Sequence, residues 1–221
     1  MVKILLFALL VVTQGSLVPV KKPVRSIASV RHALRVEHAK ELLGTHYRKS
    51  IVSKFEGRRV VAADILSVVR ERLPKKDKAK AGLISRTIMK EARRHALDPY
   101  FVMAVVAGES SFNPRAQGPV GEIGLMQIRP STGEWMAKKM RLKWKGGAGL
   151  YDPVLNIRIG TAYLAWLREE FKGHGQLYVA AYNMGARSVR NAVDKNVWPK
   201  DYPTHVMKRY ISFYREMGIK I

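Results

Sequence analysis

The 221-residue sequence contains no cysteine, which excludes a disulfide framework and any thiol or thiolate-ligated metal chemistry. Acidic side chains are scarce: 17 Asp and Glu stand against 40 Lys and Arg, a net charge of +23. A chain so skewed is drawn to polyanions, among them nucleic acid, anionic envelope polymers and acidic lipid. The six histidines (32, 38, 46, 95, 174 and 205) are scattered without a paired-ligand motif, so neither a metal nor another cofactor is expected. Phosphate-binding loops, low-complexity tracts and alternating strand patterns are also missing. What remains, 47% hydrophobic and 26% charged residues, is the composition of a globular protein with a real core.

The N-terminal run Ile4–Val12 is apolar over nine residues, follows a single Lys3, and ends before Thr13-Gln14-Gly15. It falls well short of the ~20 residues that span a bilayer and reads as an export signal, residues 1–15, cleaved near Gly15. The protein is therefore expected to be exported, periplasmic or secreted, where nucleic acid is not a partner. Residues 16–25 contain proline and lysine without an apolar period and read as an extended lead. Two or three helices follow, one closing on Gly44 and another stopping at Pro74. The charged stretch Pro74–Gly82 is read as a boundary between a basic segment, 16–81, and a larger unit, 82–221. The segment carries 17 basic and 6 acidic residues, a charge density suited to an anionic envelope polymer or a membrane surface.

Beyond residue 82 the punctuation is helical. Asp98-Pro99 and Asp152-Pro153 each pair an N-cap with proline in the first turn. Leu155, Ile159, Ala162 and Trp166 mark one buried stripe. Ser131-Thr132-Gly133-Glu134 reads as a capping box opening a helix toward Met140. Gly-rich loops fall at 118–124 and 145–149. The expected class is all-α, with few or no short strands and a smaller N-terminal helical segment.

One acid stands out. The uncharged segment Tyr100–Gly108 leads into Glu109, and Val102, Val105 and Val106 share its helical face. Burial, and the negative end of a helix dipole, should both raise its pKa and keep a carboxylic acid protonated near neutral pH. Downstream, GEIGLMQIRPST and AAYNMG supply glycines for close backbone approach and amide, thioether and phenol groups suited to a sugar.

Four ordered pieces, ESSFNPRA (109–116), GEIGLMQIRPST (121–132), LYDPVLNIRIGTAYLAWL (150–167) and AAYNMGA (180–186), resemble the lytic transglycosylases with a soluble-transglycosylase-type catalytic domain, over roughly residues 83–217. The resemblance implies a fold like that of goose-type lysozyme and cleavage of the MurNAc-β-1,4-GlcNAc bond of peptidoglycan glycan strands. It places Glu109 as the single catalytic acid and then base, giving 1,6-anhydro ends without water. It puts Tyr182 beside the carboxyl, and Gly124, Met126, Gln127 and Asn183 along the saccharide groove.

The sequence departs from the family pattern in three places. Gly118 stands where a serine is usual and Glu122 where alanine is, and DYPTHV (201–206) replaces the usual Glu-Thr-x-x-Tyr-Val. Glu122 keeps open a lysozyme-type hydrolase, since two-carboxylate glycosidases need a second acid. A non-catalytic cationic envelope-binding protein is the other alternative, supported by the charge alone.

Overall fold

Asp98 begins the central helix of the fold. In a computed structural model, which describes residues 27–57 and 62–219, its carboxylate caps α5 (Pro99–Ser110) by accepting from the Tyr100 N–H at 2.9 Å. From Tyr100 to Val106 every residue of α5 is buried. An apolar helix of this kind is stable only when wrapped on all sides. The wrapping comes from α4 (Ala81–Arg94), through Ile84, Ile88 and Ala92, and from α10 (Asp201–Ile219), through Val206, Tyr210, Phe213 and Met217. The spacing of those residues on α10 is that of one helical face.

Around this pair lie α6 (Pro130–Lys139), α7 (Pro153–Glu170), α8 (Gly175–Met184) and α9 (Ala186–Asp194). Asp152 caps α7 as its sequence suggests, accepting from Val154 N–H at 2.9 Å. The α7 stripe is broader than Leu155, Ile159, Ala162 and Trp166. Ile157, Leu164 and Leu167 are also buried, while Leu155 and Trp166 are only partly so. The capping box at Ser131 does not form. Helix α6 starts two residues earlier, with Pro130 in its first turn and Arg129 as an N-cap that makes no side-chain bond. Proline's missing N–H and fixed φ suit that first position, and they decide the start. Among the described residues there is no strand, only isolated bridges pairing Gln117 with Ile123 and Ile123 with Ile128, so the all-α class holds.

The N-terminal helices α1 (Ile27–Leu43), α2 (Ile51–Lys54) and α3 (Ala62–Arg72) pack on the same core. The segment Lys75–Lys80 is a 3-10 turn that runs straight into α4, with Asp77 buried. At the heart of the contact, buried Asp98 accepts from the hydroxyls of Tyr210 and Tyr214, and Arg35 of α1 donates to Tyr214. The Asp98 N–H donates to His38 Nδ1 at 3.0 Å, and His38 Nε2 lies 2.9 Å from the Tyr178 hydroxyl. Burial, then the charge of Arg168, holds His38 well below its ordinary pKa. The neutral ring therefore accepts at Nδ1 and donates at Nε2. The export signal and extended lead expected at residues 1–25 lie outside the described residues.

Candidate active site

Glu109 is the penultimate residue of α5, where the chain leaves the core and turns through Ser111 in the left-handed region at φ 50°. Its carboxyl has little solvent around it, and that burial pushes its pKa up to about 7. A hydrogen bond from Tyr202 and the charge of Arg209 pull the value down, and the charge of Glu122 adds to the rise. Tyr202, near the start of α10, donates to Glu109 Oε1. No hydrogen bond to Oε2 is made among the described residues, so that oxygen is left for a ligand.

The second wall is the loop after α5. Ile123 and Ile128 exchange both backbone hydrogen bonds at 3.0 Å, closing a tight loop over Gly124–Gln127. Gly124 takes φ 81°, and a Cβ there would lie 2.5 Å from Asn156 Nδ2, so only glycine fits. Asn156 of α7 holds the loop from below. Its Nδ2 donates to Ile123 O at 2.8 Å and Leu150 O at 3.0 Å, and its Oδ1 accepts from Met126 N–H at 2.8 Å. Ser110 Oγ ties the loop to α5 through Leu125 O at 2.8 Å.

Tyr182 of α8 donates to Met126 O at 2.8 Å. Burial, followed by the charge of Glu109, raises its pKa well above the ordinary phenol value, so it stays neutral and keeps its donor. Glu109, Gln127, Tyr182 and Asn183 come together around a cleft of about 380 Å³. Gly124 and Met126 do not line it. The Met126 side chain is buried against α7, where a Cβ on Gly160 would sit 2.5 Å from its sulfur. Gln127 lines the cleft but spends its amide on Ala116 O at 3.2 Å and Gly124 O at 3.0 Å.

Several cleft groups escape a sequence reading. Tyr163, Arg129 and Thr132 line it, and Tyr202 reaches the acid across 93 residues of chain. Tyr163 lies 5.5 Å from the Tyr182 ring and stacks on Trp166 at 5.9 Å, and Trp166 meets Trp135 edge-on at 4.8 Å. These rings form a continuous aromatic row from Tyr182 in the cleft to the exposed Trp135. The sequence points to two of these rings, Tyr182 beside the carboxyl and Trp166 in the α7 stripe, and to neither Tyr163 nor Trp135.

Glu122 also lines the cleft. Its slight burial favours the neutral acid, but hydrogen bonds from its own N–H, from Arg129 and from Val120 N–H outweigh that, and its pKa is lowered. Arg129 Nε donates to Glu122 Oε1 at 3.1 Å. Its other oxygen fills the space beside Gly118, where a Cβ would lie 2.4 Å from Oε2. The glycine at 118 and the glutamate at 122 thus accommodate each other. The site therefore presents two carboxyls of opposite character: Glu109 half-protonated near neutrality, and Glu122 ionised and clamped.

Residues 86–204 match the family described as the transglycosylase SLT domain. The soluble lytic murein transglycosylase of Escherichia coli K12 is 40% identical over 91 residues, which make up 41% of this chain and 14% of that protein. The membrane-bound lytic murein transglycosylase C of Cronobacter sakazakii is 30% identical over 157 residues, 67% of this chain and 41% of that one. The chain therefore spans about one seventh of the soluble relative's length. The fold is similar to that of the lytic transglycosylase Slt of Pseudomonas aeruginosa, with a TM-score of 0.56 at 20% identity over 82% of this chain and 37% of that one. It is likewise similar to that of the 70 kDa soluble lytic transglycosylase of Escherichia coli, with a TM-score of 0.56 at 23% identity over 81% and 32%. A 70-kDa soluble lytic transglycosylase in complex with bulgecin A is also similar, with a TM-score of 0.55 at 22% identity over 82% of this chain and 32% of that one.

Proposed function

The chain belongs to the transglycosylase SLT domain family, and from that premise we propose that it is a peptidoglycan lytic transglycosylase, cutting glycan strands between N-acetylmuramic acid and N-acetylglucosamine. The observation that carries this reading is the environment of Glu109: a half-buried carboxyl lining the cleft, with a pKa pushed up to about 7 and one oxygen held by Tyr202.

In the proposed reaction Glu109 is protonated and gives its proton to the glycosidic oxygen as the bond to C1 of the muramic ring breaks. Tyr202 keeps Oε1 engaged, so Oε2 is the oxygen that delivers the proton. The resulting carboxylate, steadied by the Tyr202 hydroxyl and the Arg209 charge, takes a proton from the muramic C6 hydroxyl. That oxygen closes on C1, leaving a 1,6-anhydro end and a restored acid. A group with a pKa near the working pH suits both halves, because neither protonation state is far out of reach. The aromatic row from Tyr182 to Trp135 supports the sugars, and the loop clamped by Asn156 forms the floor of the cleft.

Glu122 favours a second, hydrolytic reading, since an ionised carboxylate in the same cleft is what a glycosidase uses to activate water. Its clamping by Arg129 and its own backbone argues for the first. Digestion of purified sacculi, with mass spectrometry of the released muropeptides, decides between them. Anhydromuropeptides are expected, falling roughly 10²–10⁴-fold in rate for Glu109→Gln. Reducing ends that depend on Glu122 would establish the hydrolase, and no Glu109-dependent product would remove both readings.

A further inference from the structure

Helix α10 is apolar on two faces. Val206, Tyr210 and Phe213 enter the core, whereas Pro203, Met207 and Ile211, each four residues apart, line a separate groove. Facing them are Leu42 and Leu43 at the end of α1 and Val179 of α8, enclosing about 790 Å³. That is within the ~300–1,000 Å³ of built ligand sites. The groove and the Glu109 cleft both draw on helix α8 but have no lining residue in common, so an occupant of one leaves the other free.

The rim is cationic. His46, Lys200 and Lys208 line the groove and no acidic side chain does. Neither lysine forms an ion pair among the described residues. The amide nitrogen of Gln176, also in the lining, already donates to Pro199 O at 2.9 Å. At one end Val197 and Trp198 are 58% and 43% exposed, with Trp198 resting against the ring of His174 at 5.6 Å.

An apolar bed, a lysine rim and an exposed Trp-Val tip complement an anionic amphiphile, with acyl chain in the bed and headgroup on the lysines. We propose that this groove docks the protein on a membrane leaflet containing anionic phospholipid. The site joins residues of α1, ahead of the family match, to α8 and α10, and docking is independent of the reaction at Glu109.

The test is flotation of the full chain with vesicles of phosphatidylglycerol mixed into phosphatidylcholine, at low and at high salt. A net charge of +23 attracts any anionic surface, and that attraction is screened by salt. The salt-resistant binding is therefore the readout. It is expected to weaken about tenfold, a loss of ~1.4 kcal/mol, in Trp198→Ala and in Met207→Glu. The apolar run Ile4–Val12 is present in every variant, so the difference belongs to the groove. Trp198→Ala alters an exposed loop and keeps the test valid if Met207→Glu fails to fold. Wild-type binding that vanishes at high salt, or variants that float as the wild type does, would overturn the proposal. So would a Trp198-dependent dimer in sedimentation without vesicle binding, which would make the face an interface between copies.

Discussion

Glu109 carries a carboxyl at about 7 in the folded protein against 4.5 in an open chain. Between those values the unfolded chain has released a proton that the native state still holds, so stability falls as pH rises through that window. Glu109→Gln removes the penalty. The variant is expected to be more stable than wild type above pH 7, by roughly 3 kcal/mol at most, with the difference gone below the open-chain value. Denaturant melts at several pH values measure this, and a variant less stable at high pH would contradict the burial argument. Tyr202 acts in the opposite sense, because its hydroxyl stabilises the ionised form. In Tyr202→Phe the pKa of Glu109 should climb further and the alkaline limb of the activity profile should move to higher pH. A limb that moves down would show that Tyr202 does something other than bond the carboxylate.

At the scale of elements, the loop Ile123–Ile128 depends on Asn156, one buried side chain meeting three backbone groups. Asn156→Ala leaves those groups unpaired and is expected to lower stability by about 3 kcal/mol or more. In melts it should act well beyond the ordinary effect of a surface change, and the loosened cleft floor should raise KM more than it lowers kcat. The elements most legible in sequence were those with local causes. The starts of α5 and α7 follow from an Asp-Pro pair that needs nothing from the rest of the chain. The start of helix α6 lies two residues before the one expected, because Ser131 and Glu134 imitate a capping box although Pro130 holds the better signal. Glu109 could be singled out because the apolar run before it implies burial, and burial is the largest cause of its shift. Tyr202 and Arg129 could not be, because only the packing of α10 on α5 and the folding of one loop bring them to the acid. Tyr202 registered only as a departure from an expected pattern. The placing of Met126 in the groove came from its position in a motif, whereas its packing against Gly160 is a tertiary fact.

For the molecule as a whole, the N-terminal helices supply polar partners to the middle of the core. A fragment of residues 82–221 retains every group around Glu109 but loses Arg35, His38 and Glu41, the partners of Tyr214, Asp98 and Arg168. It would also expose the faces that α1 and α3 cover. Such a fragment is expected to lack a cooperative thermal transition, and a sharp melt at the wild-type temperature would refute that dependence. The reason lies in Asp98, which starts the helix bearing the acid and is held by chains of bonds reaching back to Arg35 and forward to Tyr214, 179 residues apart. The Glu109 cleft is therefore no portable cassette. Recombination that swapped the leading helices for those of a cousin would have to import a matching arginine and imidazole in the same stroke, so lineages carrying this arrangement should inherit both ends together.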